Sequence, residues 1–93
     1  MALVFYPAII ERSADGFGVF FPDLPGCVSA GDTVQEAARN AAEALDMHLM
    51  GMAEDGEEAP APSELDAIQH DPEVDEAARV LVSVERGQGM ADK

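Results

Sequence analysis

The chain has 93 residues, with 19 acids against five bases, a net charge of −14 and a single cysteine. A chain this short forms one domain with a thin core, burying only roughly 60–65% of the surface its unfolded form exposes. The charge argues against direct binding to phosphate backbones, which takes clustered Lys and Arg, because Arg12, Arg39, Arg79, Arg86 and Lys93 are scattered.

The start, MALVFYPAII, lacks the basic n-region and small-residue cleavage site of a signal peptide and reads better as a strand. No apolar run approaches the roughly 20 residues needed to span a bilayer. Cys27 stands alone, so an internal disulfide is excluded, and the expected setting is reducing and cytoplasmic.

Residues 3–12 are rich in β-formers. Leu3, Phe5 and Ile9 share one face; Val4, Tyr6, Ala8 and Ile10 share the other. With apolar residues on both faces, both are expected to be covered, one by a partner subunit. Pro7 cannot donate a ladder hydrogen bond, which places the strand at an edge or an irregularity. Asp15-Gly16 is a hairpin signal, and residues 17–21 form a second strand. Pro22 to Gly26 is a rigid corner in which Asp23 is expected to bond its own backbone. Cys27 to Ala30 is a short third strand, ended by Gly31.

Thr33-Val34-Gln35-Glu36 matches a capping box with Asp32 before it. Val34, Ala37, Ala38, Ala41, Leu45, Leu49 and Met52 then form an apolar stripe at helical spacing. Gly51 weakens the last turn and Gly56 is a later stop. Met47, Met50 and Met52 read equally as an adaptable contact patch or as ordinary packing.

From Glu54 to Glu76 there are ten acids and no Lys or Arg. Residues 54–62 read as an exposed connector broken by Pro60 and Pro62. Ser63-Glu64-Leu65-Asp66 predicts a short helix ending near Gln69, and Asp71-Pro72 a second one reaching about Ala78. Val80 to Val84 is a β-branched apolar run, hence a fourth strand. Residues 87–93 read as a flexible tail beyond a domain over 1–86.

The fold class is therefore α+β in β-β-β-α-β order. Three strands form an antiparallel meander, a fourth adds beside the first, and one main helix packs on the sheet. The uncovered sheet face implies a homo-oligomer.

Chemistry-bearing groups are sparse in pattern. A Cys27–His48 nucleophilic pair could form only through tertiary contact, and the plainer reading makes Cys27 a half-buried strand residue. Asp23 and Asp32 flank the third strand, and a metal-dependent hydrolase built on them and on helix acids is an alternative; neither brings a second ligand at a diagnostic spacing. No cofactor motif is present, and no metal or cofactor is expected. A basic protein partner fits the acidity, as complementary charge steers association; solubility alone is the competing explanation.

Tyr6-Pro7-Ala8-Ile9-Ile10-Glu11, Asp15-Gly16, Phe21-Pro22-Asp23-Leu24-Pro25-Gly26-Cys27, Gly31-Asp32-Thr33, Glu36-Ala37 and Ala42-Glu43-Ala44-Leu45 together resemble the HicB-like antitoxin family over roughly residues 3 to 86. The resemblance implies a partial ribonuclease-H-like sheet without a catalytic carboxylate set. It also implies a role in binding and silencing a HicA-type toxin, a small basic ribonuclease that cleaves mRNA. Candidate partner-binding residues are Asp23, Leu24, Pro25, Asp32, Glu36 and Glu43; Asp15, Gly16, Pro22, Gly26 and Thr33 carry the structural motif. Many family members add a DNA-binding segment. Gly87 to Met90 shows no helix-turn-helix pattern, so operator binding is not expected. An orphan scaffold without a toxin is the remaining alternative.

Overall fold

The computed structural model describes residues 2–86, with side chains described between Leu3 and Glu85. The tail expected at 87–93 lies outside the described residues. β1 (Ala2–Ser13), β2 (Gly16–Phe20) and β3 (Val28–Gly31) form the meander, α1 (Val34–Glu54) follows, and β4 (Glu76–Arg86) completes a four-stranded sheet. All neighbours are antiparallel, in the order β3-β2-β1-β4. This is the expected α+β arrangement, with the fourth strand beside the first.

The β1–β2 turn is Ala14–Asp15, closed by Gly16 at φ +147°; a Cβ there would meet the Gly31 carbonyl oxygen at 2.7 Å. Gly31 itself admits the first turn of α1: a Cβ would lie 2.5 Å from the Ala37 nitrogen. Close backbone approach, more than chain freedom, fixes that glycine.

Thr33 caps α1 as predicted, its Oγ1 accepting from the Glu36 N–H at 3.0 Å. The return bond of the box lands one residue early, since Glu36 Oε1 accepts from the Asp32 N–H. Such a cap contributes about 1 kcal/mol. The far end closes as a Schellman turn, with the Gly56 N–H on Ala53 and the Glu57 N–H on Met52.

Ala37, Ala41, Leu45 and Leu49 are buried, with Val34, Ala38, Ala44 and Met52 packed around them, so the predicted stripe is the core face. It meets Tyr6, Ala8 and Ile10 of β1, Val19 of β2, Phe21, and Val82 and Val84 of β4. The small alanines let the first half of the helix lie close to the sheet, and Leu45 and Leu49 supply the larger buried side chains of its second half.

Three expectations change. Pro7 sits in a central strand, opposite Leu81 of β4. Pairing with β2 stops at Ile9, so at Pro7 the strand has a ladder on one side only, and a residue without an N–H is accommodated there. The helix expected over 63–69 is a single 3-10 turn, Leu65–Ala67. The helix expected from Asp71 is a turn, with Asp71 Oδ1 accepting from the Glu73 N–H, and the strand begins at Glu76 instead of Val80. Ala77 and Ala78 favour a helix locally, but the long ladder with β1 outweighs that preference.

Candidate functional site

The Phe21–Cys27 corner is two consecutive turns. The Leu24 N–H bonds the Phe21 carbonyl and the Cys27 N–H bonds the Leu24 carbonyl, both at 3.0 Å; the Phe21 N–H closes the pair on the Cys27 carbonyl. Pro22 and Pro25 open the turns, and Gly26 adopts φ +90°. The folding drives Phe21 and Leu24 inward, each 2% exposed. Leu24 thus belongs to the core, while Pro25 is exposed and Asp23 is half-buried.

Asp23 does not bond its own turn. Its carboxylate accepts from the Ser63 N–H and from the Ser63 hydroxyl, both at 2.7 Å, across 40 residues of chain. These two bonds pull the connector around the end of the sheet. Just before it, the Tyr6 hydroxyl donates to the Pro60 carbonyl at 2.6 Å. Beyond it the chain lies on the second sheet face as a strap. Arg79 of β4 donates to the carbonyls of Leu65 and Ile68 at 3.1 and 2.8 Å and grips Glu76 with two nitrogens, at 2.6 and 3.0 Å. The Arg79 hydrogen bond holds the Glu76 carboxyl well below the usual carboxylate range, at about 2, helped by His70. The same pairing raises Arg79.

Cross-strand partners share a face. Ile9 with Phe20 and Arg79, Pro7 with Leu81, and Phe5 with Ser83 therefore lie on this second face. Ile68 and Val74 of the strap lie beside Ile9, and both Ile9 and Pro7 are buried. Leu3, Phe5 and Leu81 stay 58%, 47% and 50% exposed. Beside them is an open depression of about 670 Å³, floored by Phe5, Leu65 and Leu81 and rimmed by Glu64, Asp66 and Arg79.

The six candidate contact residues do not converge. Asp23, Leu24 and Pro25 border a depression of about 620 Å³ with Met47 and His48 of α1 and with Asp55 and Glu57 just beyond its end. Asp32 and Glu36 stand at the other end of α1, bonded to each other. Glu43 projects beside Asp46 and Glu85 near β4. Of the methionines, Met52 packs against the core, whereas Met47 is 71% and Met50 55% exposed. The Cys27 thiol is buried, which raises its pKa, and it donates to the Ala44 carbonyl, not to His48. Among the described residues no three His, Cys, Asp or Glu side chains lie together to hold a metal ion, and no helix is long and apolar enough to cross a membrane.

The geometry is that of a surface for contact: an acidic exterior, an anchored strap and an apolar patch. Sequence reasoning missed Ser63, Arg79, Phe5 and Leu81 as members of one surface. The signal available was the period-2 placement of Phe5 and Leu81 on the non-helix side.

Comparison with known proteins points the same way. Residues 6–92 match the family described as "HicB_like antitoxin of bacterial toxin-antitoxin system". A 14.9 kDa protein of the rep-hol intergenic region of Haemophilus phage HP1 is 44% identical over 80 residues, 86% of this chain; the chain spans 60% of that relative's length. The N-terminal domain of the Burkholderia pseudomallei antitoxin HicB superposes with a TM-score of 0.75 at 31% identity, over 89% of this chain and 100% of that one. A chain of the HicA3 and HicB3 toxin-antitoxin complex superposes with a TM-score of 0.68 at 32% identity, over 88% of this chain and 96% of that one.

Proposed function

This chain belongs to the HicB-like antitoxin family, and on that premise we propose that it binds and neutralises a HicA-type mRNA-cleaving toxin without catalysing a reaction itself. The single observation that carries this reading is the likeness, at 32% identity, to a chain of a HicA–HicB complex. The net charge of −14 supports it, since a basic ribonuclease presents the cationic surface that an acidic protein is drawn to. The toxin's RNA needs that same cationic surface, so binding there excludes the substrate by competition. The site of action is the cytoplasm, where mRNA is cleaved.

Self-association belongs to the same reading and runs along β4, an edge of the sheet with outward backbone groups over Glu76–Arg86. A mass above the monomer by light scattering at micromolar concentration supports it; a monomeric mass removes it.

Titration of the purified protein into a HicA-type toxin cleaving an mRNA tests the function. Cleavage falls to background near stoichiometric ratio, and the complex weakens as salt rises. Absence of binding at every salt concentration sinks the reading. Incubated alone with RNA and Mg²⁺ or Mn²⁺, the protein yields no turnover; turnover that Asp23→Asn abolishes would overturn the non-catalytic assignment.

A further inference from the structure

We propose that the second sheet face is the docking surface, and that the Phe5–Leu81 depression receives an apolar side chain ringed by Lys and Arg on a basic protein partner. The inference rests on the antitoxin reading for the partner's biological identity, but its chemistry comes from the surface alone.

Leu3, Phe5 and Leu81 are large apolar side chains left 47–58% exposed on one face. Phe5 and Leu81 stand on adjacent strands one pair apart, Phe5 opposite Ser83 and Pro7 opposite Leu81, so they present one patch. Exposed apolar side chains that cluster, beside a depression of about 670 Å³, mark an interaction site, whereas scattered ones do not. The floor is rigid: β1 and β4 are laddered without a break from the pair Ala2 and Arg86 to the pair Ile10 and Ala78, and Arg79 holds the wall of the depression through the Leu65 and Ile68 carbonyls.

The rim selects the occupant. Glu64 and Asp66 border the depression, and both are exposed. Arg79, the one cation at the rim among the described residues, is already spent on Glu76 and two carbonyls. A visitor therefore meets apolar floor and anionic edge. A second copy seated in this depression would set Glu64 and Asp66 against acids of its own kind, and like charge disfavours it as the occupant there. Nucleic acid and anionic lipid are disfavoured by the same sign. A basic protein surface with a protruding apolar residue satisfies both floor and rim, and a buried apolar anchor within a charged surround is the usual composition of a binding hot spot.

The test uses the full chain, a HicA-type toxin and a fluorescent basic peptide with one leucine among lysines and arginines. Leu81→Ser and, separately, the fold-neutral pair Glu64→Lys with Asp66→Lys are compared with Met50→Ser, an exposed apolar residue elsewhere. Circular dichroism confirms folding. Toxin affinity falls about tenfold or more for Leu81→Ser and for the charge reversal, and stays unchanged for Met50→Ser. If the toxin binds and both patch variants bind equally well, the inference is overturned while the antitoxin reading stands. If no toxin binds, that reading fails, and the peptide decides the inference: NMR shifts confined to Phe5, Leu81 and Leu65 uphold it, and none overturn it. A dimer in solution that Leu81→Ser abolishes assigns the patch to a second copy and also overturns it.

Discussion

The two faces of the sheet are held by different means. On one side α1 buries Ala37, Ala41, Leu45 and Leu49 against Tyr6, Ala8 and Ile10, a contact made mostly of many small dispersion terms, with the Tyr6 hydroxyl and Cys27 thiol of the same cluster each hydrogen-bonded to a carbonyl. On the other a strap lies beside Ile9 and is pinned at a few points: Tyr6 to Pro60, Asp23 to Ser63, Arg79 to Leu65 and Ile68. The first face is continuous and fails only if the core fails. The second is held at discrete points, so one substitution frees a segment while the sheet stands. A surface that must meet a partner tolerates the second construction, because its cover need not be complete.

The contrast can be broken most directly at the helix face. Leu45→Ala, at a position with no exposure, lowers stability by about 3 kcal/mol in urea unfolding. Leu81→Ala on the other face, half exposed, costs under about 1 kcal/mol. Equal losses would erase the distinction between the faces. Asp23→Ala removes both bonds to Ser63 and costs about 2 kcal/mol, with faster amide exchange confined to the strap. Exchange that rises equally in α1 would show that the strap is not a separate unit. Tyr6→Phe loses only the hydroxyl contact with the Pro60 carbonyl, about 1 kcal/mol by the same measurement.

The smallest effect comes from acid. A carboxyl whose folded pKa is depressed adds stability that is complete above its ordinary value near 4.5 and is lost as pH falls toward about 2. Across that window the unfolded chain takes up the proton, while the folded Glu76 keeps its charge until the pH reaches about 2. There Arg79 loses its partner and the Leu65 and Ile68 contacts loosen, so the NMR signals of Ile68 shift near pH 2 before those of Leu45. Glu76→Gln, which cannot ionise, removes the transition. Simultaneous loss of both signals would mean that strap and core melt together.

Much of the helix side was legible in the sequence. Thr33 and Glu36 announce the start of α1, the stripe from Val34 to Met52 announces its buried face, and Asp15-Gly16 announces the hairpin. Each is a local pattern with a local cause. The strap was not legible, because its fasteners are pairs distant in sequence. Nothing around Asp23 specifies Ser63, and Ser63 looks like a helix cap when its carboxylate partner is out of view. Pro72 likewise reads as a helix start, until the whole of β4 is laid against β1. For the same reason the six candidate contacts, chosen by proximity to the corner and helix, spread over three places, while Phe5 and Leu81 were read only as strand residues.

The ladder between β1 and β4 sets Ala2 opposite Arg86 and Glu11 opposite Glu76. During synthesis, at about 5–20 residues per second, the first strand must therefore wait seconds for its neighbour to leave the ribosome. Until then the edge of β1 is open, with Tyr6 and Ile10 on one side and Phe5 and Ile9 on the other. Contacts closed so late fold slowly, since the whole intervening loop must be gathered first. A chain interrupted before residue 76 lacks β4 altogether, and the edge of β1 that carries Phe5 and Tyr6 then has no strand beside it, open to proteases and to other unfinished chains.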